Sequence, residues 1–288
     1  MTADRLDAEG APLTRLPRQV NLAFARGGDG TTFLRRQHAA YPFHVGRVLH
    51  AAGDPAGFAT VYVQSCAGGL FQHERLGLAA SAGAGAQAHL TTGASTIVHA
   101  MPEGEAHQEM VLHAAPGALL EWLPDPLILF PTARLDTRLT IRAAADATVL
   151  ASEGFLLHDP AGARAPFHWL RAETRVEDEG GELLVLDRFR VTGESVLSGQ
   201  PGVHGPFPLQ GTLLAVHRAD PARALEALRS SLEASPDAWA GTSLLPNGAG
   251  AWLRVLARDA IALRAVLHAA FVAVRVLATG APPGPRRK

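Results

Sequence analysis

Cysteine is almost missing from this chain. Cys66 is the only one in 288 residues, so no internal disulfide can form, in keeping with a reducing compartment. An excess of either charge is missing too: 26 lysines and arginines face 27 aspartates and glutamates, for a formal net charge of −1. That balance gives no electrostatic footprint for nucleic acid or an anionic membrane surface. Residues 1–10 are charged and hold no apolar run, so no secretory leader is expected there. The one long apolar stretch is 260–278, where Arg264, His268 and Arg275 fall within about 40° of one another on a helical projection. A packed amphipathic helix, not a membrane span, is expected.

Catalytic signatures are also lacking. The sequence has no Walker loop, no His-Glu-x-x-His, no Cys-x-x-Cys and no Gly-x-Ser-x-Gly elbow around Ser95. His38, His44 and His50 recur every six residues, but Pro42 and Gly46 interrupt the run. No carboxylate is placed to complete a metal site there, and scattered surface histidines are the simpler reading.

What is present is a β-rich pattern. Hydrophobic residues make up 47% and charged residues 18%, a globular composition with enough length for one large β domain or two smaller ones. The most informative stretch is 119–130, in which two apolar runs flank a Pro124-Asp125-Pro126 break. Proline removes a ladder donor and biases its predecessor toward extended geometry, so a bend or sheet edge is expected. Similar runs at 86–90, 118–122 and 147–151 each follow a small or turn-forming residue (Gly85, Gly117, Asp146) and an alternating apolar run. A strand, tight turn and strand thus recur at roughly 30-residue spacing, which points to stacked, solenoid-like strands.

Alternation is cleanest at 134–142 and 170–177, with leucine, threonine and valine on one face and arginine, aspartate and glutamate on the other. These are half-buried strands with a solvated charged face. A strand is also expected over 70–74, after Gly68-Gly69. Helices come late: Asp220-Pro221 opens one over about 221–234, and Asp259 caps another over 259–278 that ends at Gly280. The expected organisation is a flexible arm over 1–15, a single β-rich domain over 16–279 and a flexible tail over 280–288.

Three carboxylates sit inside apolar strands: Glu121, Glu153 and Asp187. They either face solvent or pair with arginine, as buried charges generally do, or they line an internal polar path.

The ordered set Gly68-Gly69 with Glu74, Leu90-Thr-Thr92, Leu120-Glu-Trp-Leu-Pro124, Leu184-x-x-Asp-Arg188 and Gly211-Thr-Leu-Leu214 resembles the urease accessory proteins of the UreD (UreH) family. The resemblance spans about residues 22–277. It implies a mainly β, stacked or β-helical fold with two C-terminal α-helices and no catalytic residue. It further implies a cytoplasmic scaffold that binds apo-urease and a UreF-like protein, which recruits a UreG-like GTPase for nickel insertion, with no nucleic-acid or membrane partner. The matched positions Gly68, Gly69, Glu74, Thr91, Glu121, Trp122, Pro124 and Arg188 become candidates for family motif or partner contact. Thr92, Ser95, Thr96, Glu153 and Asp187 become candidates for a nickel path, with nickel in transit and neither a cofactor nor a resident metal site. Ile97, His99, Ala100, His73-Glu74 and His158-Asp159 depart from the family pattern, as a divergent paralogue would. Two other classes stay open: a hydrolase or metal-dependent enzyme using the scattered histidines, and a structural adaptor unrelated to nickel.

Overall fold

The computed structural model describes residues 17–285, so the arm over 1–15 and the end of the tail, 286–288, lie outside the described residues. The chain opens with β1 (Arg18–Arg26), β2 (Thr32–Ala39), β3 (Phe43–Val45) and β4 (Ala59–Ser65). It continues with β5 (Arg75–Ala82), β6 (Gln87–Thr92), β7 (Ile97–Val98), β8 (Ala106–Ala114), β9 (Leu119–Trp122) and β10 (Leu127–Leu129). Then come β11 (Arg134–Ala143), β12 (Thr148–Leu157), β13 (Trp169–Glu177) and β14 (Leu183–Val191), followed by a short helix, α1 (Gly193–Leu197). The last part alternates β15 (Leu209–His217), α2 (Pro221–Ser230), β16 (Ala238–Leu244), β17 (Gly250–Ala257) and α3 (Ala260–Thr279).

These strands form two sheets. One has seven strands in the order β14-β13-β11-β8-β5-β1-β2; the other runs β16-β17-β15-β12-β9-β6-β4-β3, with β7 and β10 attached. From β5 to β12 the chain winds as a solenoid, laying one strand in each sheet before returning to start the next coil. Neighbouring coils pair in parallel, with Arg75 opposite His107 in one sheet and Gln87 opposite Leu119 in the other. The turns between sheets stack as well: each is closed by its own bond, Ala86 N–H to Gly83 O and Ala118 N–H to Ala115 O, both at 3.0 Å, and Gly85 N–H donates to Pro116 O of the next coil at 3.0 Å. Gly85 and Gly117 both have φ near +65°, a conformation that excludes most side chains and explains why glycine recurs one coil apart.

Side chains alternate as expected. Leu22, Val61, Leu112, Leu120 and Val149 fill the space between the sheets, while α2 and α3 cover the back of β15 and β17 over Leu213, Leu228, Leu253 and Phe271. The outer face of the seven-stranded sheet carries the charges. There Arg188 Nε lies 2.6 Å from Glu173 and Arg142 Nε 2.8 Å from Glu177.

Several local expectations are corrected. Residues 70–74 are not a strand: Leu70 makes only an isolated bridge to Val98, His73 has φ +65°, and Glu74 accepts the Phe71 N–H at 2.9 Å. A carboxylate that satisfies a nearby backbone donor favours a turn over a ladder. Helix α2 ends at Ser230, short of 234, because the Ser230 and Ser231 hydroxyls donate to the Ala227 and Leu228 carbonyls at 3.0 and 2.8 Å. Arg275 does not extend the polar stripe of Arg264 and His268; it is 1% exposed, on the flank of α3 that meets the sheet. The first part of the tail is tied down, with Gly284 N–H donating to Asp54 Oδ1 at 2.9 Å.

Candidate functional site

Between the two sheets lies a cavity of about 400 Å³. Its existence follows from the coil geometry. The ends of β6 and β9, the Pro124-Asp125-Pro126 break and β12 stand on one side, and β8, β11 and β13 of the other sheet supply the facing wall. Ala172 is a small lining residue where a leucine would take up part of the space. Apolar walls come from Leu139, Phe155 and Met110, while Gln108, Ser152 and Gln210 add neutral polar groups.

The structure brings four of the five path candidates together here: Thr92, Ser95, Thr96 and Glu153 all line the cavity. Asp187 does not reach it. It lines a recess of about 10 Å³, room for roughly one water, whose wall is shared with the cavity through Glu153, Leu139 and Thr212. Glu153 therefore sits where the two spaces meet. Its Oε1 accepts from the Thr174 hydroxyl at 3.4 Å. Burial, reinforced by the nearby Asp187 charge, pushes its carboxyl up to about 7. Asp187 itself is paired, with Arg254 Nη2 at 2.5 Å, and the Arg254 guanidinium stacks 4.2 Å over the Trp252 ring. Gln64, Ser65 and Ala94 are exposed at one end of the cavity, and the partly exposed Asp187 and Arg254 flank the recess at the other.

The other candidates divide into buried and surface groups. Thr91 and Glu121 are 0% exposed and Trp122 is nearly so, so none of the three can touch a partner at the surface, which corrects that part of the expectation. Thr91 Oγ1 donates to Leu123 O at 2.8 Å, tying adjacent coils. Glu121 is ion-paired: Arg275 Nε donates to its Oε1 at 2.6 Å, Arg275 Nη2 donates to its Oε2, and His89 Nδ1 lies 2.7 Å from that second oxygen. Burial alone would raise the Glu121 carboxyl, but the hydrogen bonds and charges of Arg275 and His89 outweigh it and hold it below the usual range. Trp122, Pro124, Gly68 and Gly69 line the cavity. Gly69, with φ +146°, lets the backbone approach Ile97, whose carbonyl would lie 2.4 Å from a Cβ; this is close packing, not a phosphate cradle. Arg188 is exposed and Glu74 half-buried.

Among the described residues no group of three histidine, cysteine, aspartate or glutamate side chains could hold a metal ion. The histidine series is dispersed: His38 lies on β2, His44 on β3 and His50 in the loop that follows. The variant positions have structural uses. His99 stacks on Phe71 at 4.3 Å, and Ile97 joins the cavity wall. Asp125, within the Pro-Asp-Pro break, is a lining carboxylate that residue-level reading did not single out, although the break itself was the available signal.

The fold and site define a two-sheet solenoid protein with a polar-tipped space between its sheets. Comparison with known proteins gives the family. The family model described as UreD urease accessory protein matches residues 18–288. "Urease accessory protein UreD 1" of Pseudomonas syringae pv. syringae strain B728a is 41% identical over 94% of this chain and 95% of its own length. The protein of that name from Methylorubrum extorquens strain PA1 is 40% identical over 94% of this chain and 91% of its own. "Urease accessory protein UreD 3" of Bradyrhizobium sp. strain ORS 278 is 34% identical over 90% and 91%. This chain belongs to the UreD urease accessory protein family. It is an accessory protein of urease maturation and not an enzyme.

Proposed function

We propose that this chain is a cytoplasmic scaffold that binds apo-urease and a UreF-like accessory protein, through which a UreG-like GTPase joins, and that nickel bound for urease passes through its cavity. Nickel is cargo in this reading, never a resident cofactor. The observation that carries it is the convergence of Thr92, Ser95 and Thr96, from one coil, with Glu153, from a later one, on one internal space in a UreD-family chain. The recess beside Asp187 adjoins that space between the same two sheets, on the side of β14 and β17. Weak oxygen groups suit passage, since tight nickel retention would favour imidazole or thiolate. Of the motif positions, Gly68, Glu74 and Arg188 remain available for partner contact.

Deleting the chain from its host tests this. Urease subunits should stay at normal abundance and folded, yet low in nickel and inactive, with partial recovery in excess nickel because occupancy follows mass action. Nickel-replete, active urease in the deletion strain would end the reading unless a second family member covers the loss. Relatives named UreD 2 and UreD 3 occur in one Bradyrhizobium strain, so a strain lacking every family member settles that case.

A further inference from the structure

Strand β16 ends its sheet without the guards that the other edges carry. Among the described residues the sheets end in β14 and β2 on one side of the sandwich, and in β16 and β3 on the other. An open edge is a template for any further strand, so edges that stay single are kept short, charged, bulged or covered. β3 has only three residues. β2 holds Arg35, Arg36 and His38, its pairing with β1 slips at Ala23 and Phe24, and Gln37 Nε2 donates to Val45 O of β3 at 3.0 Å. β14 carries Asp187, Arg188 and Arg190, and Asn247 Nδ2 donates to its Leu184 carbonyl at 2.8 Å. β16 reads Ala-Trp-Ala-Gly-Thr-Ser-Leu, with neither charge nor proline. Its Trp239 and Leu244 are 67% and 52% exposed.

The hydrogen-bonding phase of β16 shows what its open side can take. Leu245 N–H donates to Gly250 O and Arg258 N–H to Asp237 O, both at 2.9 Å. Bonded pairs alternate along an antiparallel ladder, so odd-numbered positions from 237 to 245 turn their backbone groups toward β17. Ala240, Thr242 and Leu244 turn theirs outward; Ala238 does too and is bridged to Ser235. A copy of β16 laid antiparallel about a two-fold axis at Gly241 matches this phase. Ala240 and Thr242 then form bonded pairs with Thr242 and Ala240 of the second copy. Gly241 meets Gly241 in the closer, unbonded kind of pair, at about 4.5 Å.

The side chains agree with that register. Trp239, Gly241 and Ser243 share the face of Trp252 and Arg254, where the Trp252 indole N–H donates to the Ser243 hydroxyl. Nothing stands within 4 Å of a Cβ built at Gly241. Each Trp239 ring therefore has a bare glycine diagonally across, within the reach of an aromatic side chain. No like charges meet, because the strand has none.

We infer that β16 is a self-association edge: two copies of this chain pair β16 to β16, antiparallel and centred on Gly241, and join their ten-stranded sheets into one. The occupant is a second copy because the strand complements itself in charge, in bonding phase and in side-chain size. Such an interface is isologous, the closed kind that yields a dimer and no further growth.

The test uses the full chain, purified alone and together with a UreF-like protein. In a Cys66→Ser background, Gly241→Cys brings two thiols within disulfide reach and should give a covalent dimer on mild oxidation. Thr242→Cys, placed opposite Ala240 of the second copy, should give about tenfold less. Gly241→Lys and Gly241→Glu should each weaken self-association about tenfold or more in sedimentation of the chain alone, through the like charges brought together. An equimolar mixture of the two should restore it, a recovery that requires position 241 to face itself. Circular dichroism reports folding of each variant, and the cysteine arm stands independently of the charge arm. Equal cross-linking at 241 and 242, or a parent that sediments as a monomer at every concentration, would overturn the inference. So would a Gly241→Lys chain that keeps its dimer and releases the UreF-like protein, which assigns the edge to a strand of that partner.

Discussion

Arg275, in the last helix, forms a two-pronged ion pair with Glu121, which lies 154 residues earlier in β9. The guanidinium also reaches Asp54 Oδ1 at 2.9 Å and lies 4.0 Å over the Phe58 ring. With Arg275 at 1% exposure and Glu121 at 0%, each needs the other, because an isolated buried charge is far costlier than a paired one.

Replacing one partner should therefore be severe. Arg275→Met is expected to destabilise the fold by about 3–5 kcal/mol, as measured for buried pairs that lose one member. The double variant Arg275→Met with Glu121→Leu should lose much less than the sum of the single changes. Urea melts of the four proteins check this; strict additivity would mean that the two residues do not act as a pair.

Glu153 predicts a pH dependence of opposite sign to an ordinary carboxylate. With its carboxyl raised to about 7 from 4.5, the folded protein keeps a proton that the unfolded chain releases within that window. This contribution to stability is whole below about 4.5 and fades as pH climbs through 7, by on the order of 2 kcal/mol. Glu153→Gln should flatten the profile and melt later than the parent above pH 7. Parallel profiles for the two proteins would show that Glu153 titrates normally.

The paired change Glu153→Ala with Asp187→Ala should lower urease activation severalfold while the complex with urease and the second accessory protein still forms. Asp187 also neutralises Arg254, so Asp187→Asn belongs beside it as the gentler variant. Loss of the complex in parallel with activity would make these residues structural.

Association behaviour is the fourth expectation. The net charge is −1, and Ile261 at 76%, Trp239 at 67% and Val276 at 41% exposure leave apolar surface uncovered. The chain alone should be poorly soluble and recover on co-expression with a UreF-like protein. Light scattering of the lone chain, showing a monomer at high concentration that the partner leaves unchanged, would contradict this.

Much of the fold was legible because its signals are local. The glycine turns repeat at the coil period, the 134–142 and 170–177 strands alternate cleanly, and Asp220-Pro221 and Asp259 mark helix starts by capping chemistry. The cavity was legible only as a set of polar positions, since nothing local tells Thr92 that Glu153 lies across from it. Glu121 shows the limit most clearly. Sequence offered solvent or an arginine, and the arginine proved to be one whose helical spacing had placed it on the outer stripe. Long-range docking of α3 decided that question, and no window of neighbouring residues contains it.

The span between Glu121 and Arg275 also sets an order of events during synthesis. The coil that contains Glu121 leaves the ribosome long before Arg275 exists, so until then His89 is the partner already made for that buried carboxylate. The final helix adds the two-pronged guanidinium. A chain cut short before Arg275 would lack that guanidinium and, with it, the end of the helix that covers Leu213 and Leu253.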